Sequence, residues 1–387
     1  MFPKAVFKAF DSSFTFYYDD IDHSIGAAEG DVQYILEKDT HLDFNDLTST
    51  VYAPWHNPDP ASGIPIPAVL PTKVVFDKSF KKFTQYNDYK TNTTTPFTSM
   101  DGWFFNMSLV QSYSGFENIA DCVKSCNTTF CNFIGLNDEM NEMEVHNASL
   151  DLTNFHQSKL ANVQSMFSRC LFNELIIPDK FAPKATSFGG VVTLGPDQAI
   201  VTGMFSAALC NKIIINGTIG TGVTDFTGLF TQCTNIKTQE DASIDKVDYS
   251  SAVDVTQAFG GLSFDKFVLP ESFSTASKLE TIDYLFATNY NMTRLDYSSL
   301  NTTSLKSAAG TFTDCPNLTE VDLSSWNLSK VTNFNGMFYV SSDCPSPSLL
   351  KTIKFPTNTE YLPKNITDSS FMFYDLENLQ TIYSSGN

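Results

Sequence analysis

The chain has 387 residues, with 43 acidic against 24 basic side chains, a formal charge of -19 and 34 phenylalanines. Nucleic acid and anionic membrane surfaces are held by clustered Lys and Arg, so this balance argues against either as the main partner. No stretch approaches about 18 consecutive apolar residues, so no spanning helix and no membrane insertion are expected.

Met1 to Ser13 lacks the apolar run of a signal peptide. That leaves either a start after a removed signal or another route out of the cell, as for a virion component. Ala5 to Phe10 and Phe14 to Tyr18 read as two strands around Asp11-Ser12-Ser13, a hairpin. The acidic run Asp19, Asp20 and Asp22 lacks the spacing of a calcium loop and reads as a solvated turn. The Pro-rich stretch from Asp46 to Pro71, which holds Trp55, is expected to wrap a cap as an ordered loop. Lys73 to Phe76 reads as a strand, the first of a longer sheet. Residues 1–98 are thus expected to form a small β-rich N-terminal cap over the end of a stacked core.

Thr91 to Pro96 reads as a polar loop. Residues 117–147 read as an irregular insertion with Cys122, Cys126, Cys131 and the acidic run Asp138, Glu139, Glu142 and Glu144. The cysteine spacing allows a local disulfide or reduced structural thiols; a zinc site would need a fourth ligand, and the nearest His is His146. Long insertions in repeat proteins emerge on one face and often carry binding, with a poorly packed turn as the alternative.

Residues 99–387 are organised by a repeat whose clearest copy runs from Cys315 to Phe338. Leu318, Val321 and Leu323 are apolar, the last two alternating with Glu320, Asp322 and Ser324 as in a short strand. Ser324 to Asn327 form a polar corner. Val331, Phe334, Met337 and Phe338 then fall on one face of two helical turns, and Thr332 and Asn333, poor mid-helix residues, make the expected helix short and partly 3₁₀. Taking the final Phe as a mark gives Phe104, Phe167, Phe205, Phe230, Phe259, Phe286, Phe312, Phe338 and Phe373. From Phe205 to Phe338 the intervals are 25, 29, 27, 26 and 26 residues. Seven residues before the mark an apolar residue returns: Leu160, Val223, Leu279, Leu305, Val331 and Ile366. Cys170, Cys233 and Cys315 each sit three residues after a mark and are expected to be buried and unbridged. Neither half of such a unit buries its apolar side alone, so copies must stack. The expected fold is an α/β repeat solenoid. It is leucine-rich-repeat-like and right-handed, with a parallel sheet on one face and short helices on the other. The marks form a buried Phe spine.

The Met-Phe…Cys…Leu spacing, the Asp-Leu-Ser-x-Trp corner (Asp322 to Trp326) and the Lys-Val-Thr-Asn segment (Lys330 to Asn333) resemble BspA-like leucine-rich-repeat surface proteins of anaerobic oral and gut bacteria. Phe14 to Asp20, Thr72 to Phe80 and Gly102 to Asn106 resemble the module that precedes the repeats in such proteins. The resemblance covers nearly the whole chain and is weak over Phe172 to Asp197 and Lys237 to Asp254. It implies extracellular adhesion to matrix proteins or other cells, and no catalytic activity.

Signals for chemistry are sparse. His23, His41, His56, His146 and His156 are scattered, and His156 falls at a solvent corner. Gly217, Gly220 and Gly222 lack the Gly-Lys-Ser/Thr of a phosphate loop and read as a turn. Asn-x-Ser/Thr sequons recur, as at Asn92, Asn291, Asn317 and Asn365, and bear glycans only if the source cell glycosylates. No catalytic residue, metal ligand or cofactor is assigned, and the chain is not expected to be an enzyme.

The expected function is non-enzymatic recognition of a protein or glycan on a cell surface, with the chain extracellular or on a bacterial cell surface. The alternatives are a phage virion or decoration protein used for host attachment and, more distantly, a glycan-active enzyme with a carboxylate pair in a deep cleft. If Val321 and its equivalents point inward, their neighbours point out. That places Arg294, Asp296, Glu320, Asp322, Thr352, Lys354, Thr381 and Tyr383 on one exposed sheet face, the expected contact surface. No polar cap follows the last strand, so that end is expected to be covered either by a partner or by residues absent from this chain.

Overall fold

The computed structural model describes residues 2–21, 28, 31–35, 56–58, 65–67, 71–88, 93–132, 146–195 and 198–384. Asp22, most of the Asp46 to Pro71 stretch, and Asp138, Glu139, Glu142 and Glu144 lie outside the described residues. Two compact units are present: Met1–Ala185 with Lys212–Gly217, and Thr186–Asn211 with Thr218–Asn387. Among the described residues no helix is long and apolar enough to cross a membrane.

In the first unit, strand Phe2–Lys8 pairs antiparallel with Ser13–Asp19 and with Val32–Ile35. The hairpin read from the sequence is present, but its first strand stops before Phe10, which stands exposed in the turn. Ser13–Asp19 pairs parallel with Lys73–Phe76, which pairs parallel with Ser112–Ser114. The sheet therefore changes from antiparallel to parallel at Ser13–Asp19, and Lys73–Phe76, the strand expected to begin the stack, is parallel to both its neighbours. Its inward residues Phe14, Phe16, Val74 and Phe76 are buried. Phe16 stacks on Phe76 at 4.9 Å and on Trp103 at 5.3 Å. Thr93–Pro96, expected as loop, is a strand antiparallel to Gln85–Asp88. Its β-branched threonines favour extended backbone, and the pairing satisfies their polar groups. His146–Asp151, Phe172–Ile177 and Lys212–Ile215 form a parallel three-stranded sheet.

The segment expected as a short helix in each repeat is not one. Among the described residues the helical elements are 3₁₀ turns such as Glu271–Thr275. The hydrogen bonds explain why. Met337 and Tyr339 N–H donate three residues back, to Phe334 and Gly336 carbonyls. The alternate groups, Phe334, Gly336, Phe338 and Val340 N–H, donate to Asp368, Ser370, Met372 and Tyr374 carbonyls one turn on, at 2.7–3.2 Å. An α-helix would spend every N–H on its own carbonyls; here half are given to the neighbouring turn. A residue with positive φ sits two before most marks and another two after: Tyr284 (55°) and Thr288 (59°) flank Phe286, and Gly310 (57°) and Asp314 (52°) flank Phe312. Left-handed backbone at that spacing breaks any α-helix. The expected burial is nonetheless right, since Val331, Phe334, Met337 and Phe338 are all buried.

In the second unit the same four donations recur from the turns at 226–232, 255–261, 282–288, 308–314 and 334–340. Parallel bridges link Ser187, Asp225, Asp254, Thr281, Ser307, Asn333 and Asp368 in one ladder. Rings Phe205, Phe230, Phe259, Phe286, Phe312, Phe338 and Phe373 stack in sequence at 5.2–6.4 Å and within 24° of parallel. All but Phe373 are buried.

The first unit has a turn that the sequence reading overlooked. Cys126, Thr128, Phe130 and Asn132 N–H donate to Asn162, Gln164, Met166 and Ser168, and Phe130 stacks between Phe104 (5.5 Å) and Phe167 (5.8 Å). Residues 117–132 are therefore no irregular insertion; they hold a repeat turn, with Val123 buried seven residues before its Phe.

All eight cysteines are unbridged. Cys170, Cys233 and Cys315 are buried as expected, and burial pushes each thiol up to about 12. Cys233 and Cys315 Sγ reach the carbonyls of Phe205 and Phe286, the marks of the preceding turns, at 3.0 Å. These thiols are expected to resist alkylation in native buffer at neutral pH, while the half-buried Cys122 and Cys344 react first. Peptide mass spectrometry of a maleimide time course reads this; prompt labelling of Cys233 or Cys315 before unfolding contradicts it.

Candidate functional site

The proposed contact face is built by strands of three residues. Glu320–Asp322, Thr352–Lys354 and Thr381–Tyr383 form one parallel sheet. Its register aligns Glu320, Thr352 and Thr381 in one row and Asp322, Lys354 and Tyr383 in another. Between the rows Val321 and Ile353 are buried, which fixes the outward direction of their neighbours. Six of the eight expected residues thus share one sheet.

Arg294 and Asp296 lie on a different, two-stranded sheet, paired with Lys266 and Val268. The backbone ladder between the Asp296 and Asp322 strands is interrupted by a side chain. Tyr297 Oη accepts from Asp322 N–H at 2.7 Å and donates to Asp322 O at 3.0 Å. Burial raises the Tyr297 phenol, keeping it protonated for that donation. Tyr297 is held by Trp326, edge-on at 5.4 Å, and Trp326 is itself buried rather than part of a wet corner.

Lys354 is the electrostatic centre. Its Nζ lies 2.5 Å from Glu320 Oε1 and 3.4 Å from Asp322 Oδ2. Hydrogen bonding to Glu320 raises the Lys354 ammonium value, with Asp322 adding to it. For Asp322, partial desolvation pushes upward but is outweighed by hydrogen bonds from Ser324 and Lys354, so the net shift is downward. Asp296 is lowered by the Ser298 N–H and hydroxyl.

The two aspartates have a further task that the sequence reading did not assign them. Asp296 accepts from Ser298 N–H at 2.9 Å and Asp322 from Ser324 N–H at 2.9 Å; Asp151 does the same for Thr153 at 2.8 Å. This Asp two residues before a Ser or Thr closes the corner after the strand, the physical content of the Asp-Leu-Ser motif. Asp296 and Asp322 are corner caps, while Arg294, Glu320, Thr352, Lys354, Thr381 and Tyr383 carry no such duty.

Lys266 and Val268 stand exposed beside Arg294 and Asp296 and were missed. Their signal was Phe267, apolar and buried between two exposed residues. The edge beside them is sealed by Gln239, whose side-chain amide donates to Val268 O at 2.7 Å and accepts from Val268 N–H at 3.0 Å. His156 is exposed, as expected of a corner, and lines an open cleft of about 270 Å³ with Asp121, Asp179 and Lys180.

Residues 224–350 and 254–385 match a family model described as a Mycoplasma protein of unknown function, DUF285. No curated protein matches. Two solved structures are similar at 13% identity. One is a leucine-rich cell surface protein from Faecalibacterium prausnitzii A2-165, matched over 100% of this chain and 93% of that one with a TM-score of 0.22. The other is a leucine-rich repeat protein from Bacteroides ovatus ATCC 8483, matched over 85% of this chain and 97% of that one with a TM-score of 0.19. At that level of superposition neither defines the fold of this chain, which is read from its own strand pairing.

Proposed function

We propose that the chain is a non-enzymatic recognition module working outside the cell. In this reading it is a right-handed, leucine-rich-repeat-like solenoid of the BspA-like kind that adheres to a protein or glycan on a cell surface. The supporting observation is the two-row display on the Glu320, Thr352 and Thr381 strands, where an ammonium, carboxylates, hydroxyls and one phenol repeat at the spacing of parallel strands. Such a surface offers donors and acceptors in a fixed grid, which suits a sugar chain or a polypeptide loop. Arg294 and Lys266 extend it with cations.

The test uses purified chain against a glycan array and against immobilised extracellular-matrix proteins, read by biolayer interferometry. The double variant Arg294→Glu, Lys354→Glu reverses two of the three cations, leaving Lys266 and the corner caps Asp296 and Asp322 in place. The wild type is expected to bind a member of one panel and the variant to bind it roughly tenfold or more weakly. A wild type that binds neither panel, or a variant with unchanged affinity, overturns this reading.

A further inference from the structure

Two cations stand opposite each other in the middle of an acidic chain. Lys266 and Arg294 are register partners on parallel strands, and both are exposed. Equivalent positions on such strands lie about 4.8 Å apart, so the two charges share one row. Like charges placed opposite each other destabilise a sheet. With 43 acidic side chains against 24 basic ones, carboxylates to separate them are in ample supply. Yet among the described residues neither cation is in an ion pair, whereas Lys354 meets two carboxylates and Lys306 one.

The carboxylates around the pair are already engaged. Asp265 accepts from the Thr293 hydroxyl at 2.5 Å, and Asp296 caps the Ser298 N–H. Asp245 accepts from the Gln239 amide at 2.8 Å. Glu320, placed eight residues after Phe312 as Arg294 is after Phe286, is taken by Lys354. The repulsion between Lys266 and Arg294 is therefore left standing in the free chain. A local rule broken without a structural return marks a functional position.

The second row of the same two strands narrows the occupant. It holds Val268, 55% exposed, beside Asp296. A uniform polyanion laid over both rows would set its charges against Asp296, and neither row offers an aromatic ring for a sugar to stack on. A polypeptide changes its chemistry at the right pitch. In an extended chain side chains two apart share a face at about 6.6 Å, the same step that separates Lys266 from Val268. We infer that Lys266 and Arg294 anchor an acidic polypeptide segment laid extended along these strands. Its Asp or Glu carboxylate sits between the two cations and an apolar side chain two residues away covers Val268. The inference rests on the reading of this face as a contact surface and narrows the partner to a protein. Arg294 offers the carboxylate a two-pronged fork and Lys266 a further donor. The bound anion then cancels a repulsion that the free chain carries.

The test pans a displayed random dodecapeptide library against the immobilised full chain and measures synthetic versions of the selected peptides by fluorescence anisotropy. Selected peptides are expected to carry Asp or Glu two residues from an apolar residue. Replacing that acid by Gln, or using the chain variant Lys266→Gln, Arg294→Gln, is expected to weaken binding roughly tenfold or more, with added salt weakening it further. The variant's melting temperature is expected to equal or exceed the wild type's, because a repulsion has been removed. Selected peptides without that pattern, unchanged affinity in the variant, or a lower melting temperature overturns the inference. So does dimerisation of the wild type that the variant abolishes, since the occupant would then be a second copy. A wild type that selects no peptide but binds an acidic glycan through these two cations overturns this inference alone. One that binds no peptide, glycan or matrix protein overturns the recognition reading with it.

Discussion

Phe312→Ala destabilises the second unit by about 3–5 kcal/mol, the loss expected when a buried ring is deleted and its cavity only partly collapses. Phe312 is stacked between Phe286 at 6.0 Å and Phe338 at 5.6 Å, and also meets Tyr297 and Trp326. Removing it strips four rings of a neighbour at once. Phe373→Ala is the internal comparison. Its ring is partly exposed, so less area is lost to water and the expected cost is at most about 1–2 kcal/mol. Denaturant unfolding of both variants reads the difference. Equal losses would mean that the end of the stack is as well covered as its middle, against the burial pattern described here.

The second large effect is expected at Asn289, which occupies the position that is Cys in the turns at Phe230 and Phe312. Asn289 is fully buried and serves three backbone groups. Its Oδ1 accepts from Leu262 N–H at 2.7 Å, and its Nδ2 donates to Phe259 and Phe286 carbonyls at 3.0 and 2.8 Å. Asn289→Leu keeps the number and branching of the side-chain heavy atoms and orphans Leu262 N–H and the Phe259 carbonyl, while Cys315 still serves Phe286. The expected cost is about 3–5 kcal/mol, since each orphaned buried group costs about 1–3 kcal/mol. Asn289→Cys restores a donor toward Phe259, as Cys233 supplies to Phe205, and is expected to recover part of that loss. Chemical denaturation of the pair decides it: if Leu is tolerated as well as Cys, the hydrogen bonds at this position contribute little.

The register was legible in the sequence because Phe at the mark and an apolar residue seven before it are both demanded by the core. The strands Arg294–Asp296, Glu320–Asp322, Thr352–Lys354 and Thr381–Tyr383 follow from that register, and so does the outward row of Lys354 and Tyr383. The backbone of the second half was not legible. Apolar spacing at 331, 334, 337 and 338 is the same for a helix and for successive turns stitched to a neighbour. Only positive-φ residues separate the two, and many of them here are Tyr, Gln, Thr or Ala rather than Gly. The turn at Phe130 was missed because its cysteines, Cys126 and Cys131, drew attention to bridging. Val123, seven residues before Phe130, carried the register signal all along. The double duty of Asp322 was hidden for a different reason: a corner cap and a binding carboxylate have the same sequence signature.

The stacking of turns through alternate N–H groups is tested most directly by residue-resolved amide exchange of the free chain, read by nuclear magnetic resonance. Phe334, Gly336, Phe338 and Val340 amides are expected to be protected together with Met337 and Tyr339, while Ser369, Phe371, Phe373 and Asp375 exchange fast. Fast exchange at Phe334, Gly336, Phe338 and Val340, or slow exchange at all four of the terminal amides, would contradict it.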